Sequence, residues 1–546
     1  MVEAKPERRY DLDWLKVITT LLVFCFHVAR VFNTEDWSVK NDYLLEREKP
    51  IYALIKSTQH SQPPLNTNGL PMATVQTLDH LPQHEQEVIQ TLAATQDQIL
   101  LAPSDVQNSL IYNTQTLQTV GVLAKVVQAN GKNVRALLPD TSKAQNFADG
   151  SRVQSQSFKS YLSAQVLPRG EFLIVDGSAF GSGEQAQAFL ERATGAANRV
   201  LVIGRPVFFP IELFVSFLNQ WFMPLFFFIS GTGTCFALKR RSASQYVRER
   251  FTRLFIPFLF GCLVVVPPQV YYELRSDPTY RSSYLQFYPS FFSHFTWAHL
   301  WFIIYLFVFS IVALPLFVYL KTPSGTKAVG LIADFCTRPG AIFLVGIPIG
   351  LIEAALRGRW GFGNYNLVDD WSDVCYYLAF FILGYLLSME PRFGKALDQH
   401  WKLALGLAIA LMTVMFTVSF LGFVPPQGYS LGYMGFIFVH GVRAWLWIVG
   451  ILGFARSRLN FKMPFLTYAS EAAYPFYILH QSVIIAVAFY IVRWSVGASG
   501  KFLAVFAIAL TLTCILYELF VRRTNITRFL FGMKSLSNTA SSKLSA

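Results

Sequence analysis

Charge is scarce in this chain: Asp, Glu, Lys and Arg together supply 14% of its 546 residues. That share is too low for an ordinary soluble globule, whose surface takes about a quarter of the chain as charged residues. Cysteine is also sparse. Cys25, Cys235, Cys262, Cys375 and Cys514 lie in apolar runs and Cys336 near one, with no spacing that suggests a disulfide framework or a structural zinc site. Acidic residues are outnumbered, 33 against 46 basic ones, for a net charge of +13. The excess sits in short stretches beside apolar segments, which makes it a topology signal and speaks against a nucleic-acid partner.

What fills the space is apolar. Hydrophobic residues make up 53% of the chain and Phe alone occurs 50 times, a load that lipid accepts on outward helix faces and water does not. Runs long enough to cross about 30 Å of hydrocarbon occur about ten times. They are placed near 14–32, 209–237, 252–271, 298–320, 340–357, 372–389, 402–423, 430–454, 472–494 and 500–521. The expected fold is an α-helical integral membrane bundle. The first run lacks a small-residue cleavage pattern and is read as a retained helix. Between the second and third runs, Lys239, Arg240, Arg241, Arg248, Arg250 and Arg253 face a single acid, Glu249, and such loops stay inside. With ten alternating spans both termini are then cytoplasmic.

One connection breaks the pattern. Residues 43–206 are polar, rich in Gln and Asn, and far too long for a loop, so they are read as an inserted extracytoplasmic α/β domain. Strands are expected at 98–102, 134–138, 171–176 and 199–204, with helical segments near 84–96, 113–129 and 183–195, forming a small parallel sheet. The stretch VDGSAFGSGEQAQAF could form an anion site at a helix N-terminus, but it carries neither a GxGxxG fingerprint nor a phosphate loop. The organisation becomes 1–42, first membrane helix; 43–206, insertion; 207–525, nine further helices; 526–546, cytoplasmic tail.

An ionisable group inside a membrane helix is a functional hypothesis by default. Lys16 and His27 are eleven positions apart, three helical turns with only about 20° of azimuth between them. Asp13, Thr20 and Arg30 fall near the same line, giving a polar stripe with His27 about 16 Å above Lys16. The alternative is that the charged members snorkel to the interfaces and His27 is a hydrogen-bonded core residue. His299, between Trp297 and Trp301, is read as a site residue or as an interfacial one facing headgroups. His440 and Arg443 are one turn apart, and His480 lies inside the ninth helix. The run of small residues at Ser230–Thr234 either allows close helix contact or leaves room for a thin ligand chain. Arg248, Arg250 and Arg253 serve topology and anionic lipid, or clamp the phosphates of a ligand.

These residues sit in runs that resemble a known family. RRYDLDWLKVITTLLVFCFHVARVFN, WFMPLFFFISGTGTCFAL, RERFTRLFIPFLFG, VVPPQVYYE, HLWFIIYLFVFSIVALPL and AAYPFYILHQSVI look like segments of the acyltransferase 3 family, in the same order. Within it the likeness is greatest to the glucan biosynthesis protein C group. It covers about 1–42 and 207–525 and leaves 43–206 aside. The family signature of a basic residue and a histidine separated by ten positions falls on Lys16 and His27, with Lys where Arg is more usual, which keeps the charge and loses the bidentate geometry.

The resemblance implies a multi-pass inner-membrane O-acyltransferase of the cell envelope. It would use acyl-CoA as co-substrate, without a metal, and carry a succinyl or acetyl group to an extracytoplasmic carbohydrate or glycolipid. His27 would be the base and Lys16 its charged companion. Arg248, Arg250, Arg253, Ser230, His299, Trp301 and His480 would form the substrate and donor sites. An acyl-enzyme route through Ser230 or His27 is a second chemical possibility. A glycan exporter is the competing class, since intramembrane His, Arg and Glu353 also suit transport, though no internal repeat of two matched halves is visible.

Overall fold

The computed structural model describes residues 9–33, 37–41, 208–276, 280 and 282–536, together with six short strands between residues 43 and 204. Its helices in chain order are α1 (Tyr10–Arg30), α2 (Phe209–Leu238), α3 (Ala243–Arg275), α4 (Tyr284–Ser293), α5 (Ala298–Val312), α6 (Leu314–Leu320), α7 (Pro323–Cys336), α8 (Ala341–Leu356), α9 (Trp371–Leu387), α10 (Arg392–Phe420), α11 (Leu431–Arg458), α12 (Pro464–Ile491), α13 (Ala498–Val521) and α14 (Asn525–Leu530). Every apolar run expected to cross the membrane falls on a helix. Among the described residues seven helices are long and apolar enough to cross, or eight if α4 and α5, bent by 41°, make one span. The expected ten exceeds this because α8 and α9 are too short to qualify by length.

The third helix starts earlier than expected. Ser242 and Gln245 form a reciprocal capping box, satisfying orphan N–H groups at that point, so Arg248, Arg250 and Arg253 lie on α3 and not in the loop before it.

Close approach between α2 and α9 depends on two glycines. A Cβ on Gly231 would run into the Phe381 carbonyl, and one on Gly384 into the Phe228 carbonyl. Thr232 Oγ1 then reaches the Gly384 carbonyl at 3.1 Å, and Ser388 Oγ donates to Thr232 Oγ1 at 3.0 Å. This part of the small-residue run is therefore a helix crossing. Gly384→Val is expected to cost about 1–3 kcal/mol of stability by overpacking, seen as a lower thermal midpoint of the detergent-purified protein. Gly406→Val, where an added Cβ meets nothing within 4 Å, should leave the midpoint unchanged.

Inside the long connection the strands are β1 (Tyr43–Glu48), β2 (Gln76–Thr77), β3 (Val122–Ala129), β4 (Lys132–Pro139), β5 (Leu173–Asp176) and β6 (Arg199–Gly204), in sheets ordered β1-β6-β5 and β2-β3-β4. Three of the expected strands are present, at β4, β5 and β6. The expected helix over 113–129 is overturned for its last eight residues, which form β3. Asn130 and Gly131 alone separate β3 from β4, and Asn-Gly is the favoured pair for a two-residue hairpin. Hairpin strands must be antiparallel, so the sheets are mixed: β5 and β6 pair parallel, whereas β3 with β4 and β1 with β6 pair antiparallel. The β1–β6 register sets Tyr43 opposite Gly204. This pairing sets the first and last described strands of the connection side by side. The expected strand at 98–102 and the helices at 84–96 and 183–195 lie outside the described residues.

Candidate active site

Three of the histidines singled out from sequence converge where α1, α5 and α12 meet. His27 on α1 and His480 on α12 have ring centroids 4.9 Å apart, and His299 at the start of α5 is 5.3 Å from His480. His480 and His299 are buried, and His27 is half-buried. His299 does not face headgroups, as one reading had it: its Nε2 bonds the Ile478 carbonyl at 2.9 Å.

The hydrogen bonds determine where the protons sit. A carbonyl only accepts, so His480 Nδ1, 2.6 Å from the Tyr477 carbonyl, carries the proton and its Nε2 offers a lone pair. That lone pair lies 2.9 Å from His27 Nδ1. His27 Nδ1 therefore donates, and its Nε2 is left as the basic nitrogen. The backbone of α12 thus sets the tautomer of a histidine on α1 through one intermediate ring. By the same reasoning His299 Nε2 is protonated, and its Nδ1 meets no hydrogen-bond partner among the described residues.

Aromatic groups define the walls. Trp37 stacks on His27 with centroids 5.9 Å apart, and Phe476 stacks on His480 at 6.3 Å. Tyr477 donates its hydroxyl to the His299 carbonyl. Trp301 stacks on Tyr365 at 4.0 Å and 6°, so it is held by a loop residue and is not a simple interfacial anchor. Among the described residues no group of three or more His, Cys, Asp or Glu is placed to hold a metal ion.

The stripe on α1 faces α12 along its length. Lys16 Nζ donates to the Ser470 carbonyl at 2.6 Å, and Ser470 Oγ donates to Asp13 Oδ1 at 3.2 Å. Lys16 and His27 thus meet partners ten residues apart on the same helix, so the stripe is a helix interface as well as a line of ionisable groups. Thr20 bonds its own helix, donating to the Lys16 carbonyl.

The remaining candidates divide into two places. Arg250 and Arg253 are partly buried near the start of α3, with the Arg250 guanidinium 4.8 Å over the Tyr246 ring and its Nε without a hydrogen-bond partner among the described residues. Arg248 is exposed. Ser230 is half-buried on α2 and accepts on its carbonyl from Thr234 Oγ1. His440 and Arg443 do not join the three histidines. His440 Nδ1 is 3.3 Å from Glu353 Oε2, and Arg443 Nη1 contacts Met415 Sδ at 2.9 Å.

Sequence reasoning passed over Trp37, Tyr477, Tyr365 and the buried pairs of Arg357 with Glu353 and Asp373. Tyr477 was within a quoted run but has no ionisable signal of its own, and Arg357 and Asp373 sit at helix ends, where charge reads as interfacial.

The sequence model of the acyltransferase 3 domain matches residues 196–518, more than half of the chain. The chain belongs to the acyltransferase 3 family. Relatives named glucans biosynthesis protein C, from Salmonella paratyphi B, Salmonella dublin and Salmonella enteritidis PT4, are each 24% identical over 346 residues, covering 59% of this chain and 85% of theirs. No solved structure matches it significantly. The domain match begins after α1, so His27 enters the site on the evidence of its geometry with His480 and His299.

Proposed function

We propose that this membrane acyltransferase moves an acyl group, succinyl or acetyl, from cytoplasmic acyl-CoA to a hydroxyl of an extracytoplasmic glycan or glycolipid, with His27 as the general base. The observation that carries this reading is the Tyr477–His480–His27 relay, which leaves His27 Nε2 unprotonated on the half-buried ring of the junction. That nitrogen takes the proton from the acceptor hydroxyl as its oxygen attacks the thioester carbonyl. Collapse of the tetrahedral intermediate breaks the C–S bond, and the imidazolium returns the proton to the departing thiolate. A neutral base with a fixed tautomer is what this sequence of steps requires.

Donor and acceptor would arrive from opposite ends of the bundle. The arginine-bearing start of α3 suits the phosphates of coenzyme A, because guanidinium matches phosphate geometry, and a positive-inside orientation puts it and both termini in the cytoplasm of an inner-membrane protein. Lys16, on the line between that end and His27, would meet the anionic donor with the ammonium protons not given to the Ser470 carbonyl, and Ser230, half-buried on α2, would border the donor's path. His299, Trp301 and His480 belong to the opposite mouth, beside the insertion at 43–206, which would receive the glycan. The named function of the Salmonella relatives, glucan biosynthesis, agrees with a carbohydrate acceptor.

The test is mass spectrometry of surface glycans and glycolipids from cells with the wild-type chain, with His27→Gln, and without the protein. An added acyl mass present only with wild type is expected, and it would identify the group. Identical acylation in all three would end the acyltransferase reading, and loss of the whole glycan from the surface, not of its acyl group, would favour an exporter.

A further inference from the structure

The geometry points to Arg357 as a positioning residue for the histidine junction, acting through the loop between α8 and α9 and resting on the acyltransferase reading only for its turnover measurement. Arg357 is fully buried at the end of α8 and ties two helices together: Nη2 to Glu353 Oε1 at 2.7 Å and Nη1 to Asp373 Oδ1, on α9, at 2.9 Å. It also grips the loop. Nη1 donates to the Gly361 carbonyl at 3.0 Å, and the guanidinium plane lies 4.0 Å from the Phe362 ring centroid.

The far side of this loop rests on the turn that carries His299. Tyr365 stacks on Trp301, and its carbonyl accepts from Trp297 Nε1 at 2.8 Å. Leu367 N–H donates to Tyr305 Oη at 3.4 Å. His299 lies between the two tryptophans so held. Arg357, Tyr365 and residues 297–301 therefore form one mechanical chain that ends at an imidazole of the junction.

Backbone strain marks the same chain. Ala298, Tyr365 and Leu367, with φ of 44°, 41° and 65°, are the only non-glycine residues in the left-handed region among those described. Such a conformation is costly for a residue with a Cβ and persists where its surroundings over-determine it. All three fall where the loop and the His299 turn meet, and the Arg357 ion pairs supply the rigid base. A lysine cannot replace them, since the fork that spans two carboxylates and a carbonyl is specific to guanidinium.

Removing a buried charge partner can unfold a protein, so the test pairs Arg357→Lys, which keeps the charge, with Tyr365→Ala, which leaves the ion pairs intact. Full-length protein in lipid nanodiscs is assayed for kcat and for the donor KM, and His299 is mapped by carbethoxylation and mass spectrometry. Each variant should lose about 10- to 100-fold in kcat, the scale of a small misplacement of a reacting group, with donor KM within about twofold. The double variant should be no slower than the worse single one, and His299 should be modified faster in all three. Arg392→Ala, which breaks ion pairs with Asp334 and Glu390 beyond the opposite end of α9 from this loop, should change none of these. Multiplicative kcat losses in the double variant, or unchanged His299 labelling in either single one, would overturn the proposal. If wild type shows no acyl transfer at all, the labelling results still decide it, and only the acyltransferase reading falls.

Discussion

His27→Gln should lower acyl transfer by about 10²- to 10⁴-fold, the usual contribution of a positioned base, while leaving the protein inserted and abundant. Glutamine keeps an N–H to offer His480 Nε2, so the junction between α1 and α12 survives and only the lone pair at His27 Nε2 is removed. His480→Gln should be milder, because it frees the His27 tautomer without deleting the base. Acidification should slow the wild type, since protonation of His27 consumes the lone pair. The measurement is single-turnover transfer from a labelled thioester by purified protein across a pH series. Activity of His27→Gln within a few-fold of wild type, or a wild-type rate that rises on acidification, would remove His27 from the role of base.

The legibility of this chain from sequence followed the physics of each signal. The bundle was visible because hydrocarbon demands long apolar runs, and each of those runs falls on a helix; what length could not reveal was how α8 and α9, too short by the same criterion, sit in the bilayer. The Lys16–His27 stripe was visible because eleven residues are three turns, but its partner was not, since periodicity says which face is polar and nothing about what it meets. That partner, α12, contributes Ser470 and His480 ten residues apart. Two errors had readable signals that were passed over: Ser242–Gln245, a capping box that moves the start of α3 ahead of its arginines, and Asn130–Gly131, a hairpin pair that makes strand of a presumed helix. The loop joining Arg357 to Trp301 had no signal of that kind. Its tertiary contacts join residues up to 78 positions apart, Phe362 with His440, and no local pattern encodes such a pairing.

Arg253→Ala and Arg250→Ala should each raise the KM for acyl-CoA by about 10- to 100-fold, the effect of losing a hydrogen bond to a charged group worth about 1.5–3 kcal/mol, with little change in the acceptor dependence. The local structure favours these two over their neighbours. Three residues apart on one helix, they project from adjacent positions on one face, and both are partly buried where Arg248 is exposed. Glu249, the lone acid among them, pairs with Arg241 at 2.7 Å. Arg250 Nε, buried beside Tyr246, meets no hydrogen-bond partner among the described residues, and a buried guanidinium nitrogen in that state is costly unless an anion completes it. At Gly532 the chain packs so close to the Arg253 carbonyl that an added Cβ would lie 2.7 Å from it, which fixes the backbone from which the second arginine extends. Arg248→Ala, at the exposed position, should shift the donor KM by less than about threefold, as expected of a solvent-screened charge. Because a positive-inside orientation would rest on the same arginines, each variant is first checked for insertion by cysteine accessibility from both sides of the membrane. An unchanged donor KM in correctly inserted Arg250→Ala and Arg253→Ala would leave these residues with topology and anionic lipid as their work, and would move the coenzyme A site elsewhere on the arginine-rich end.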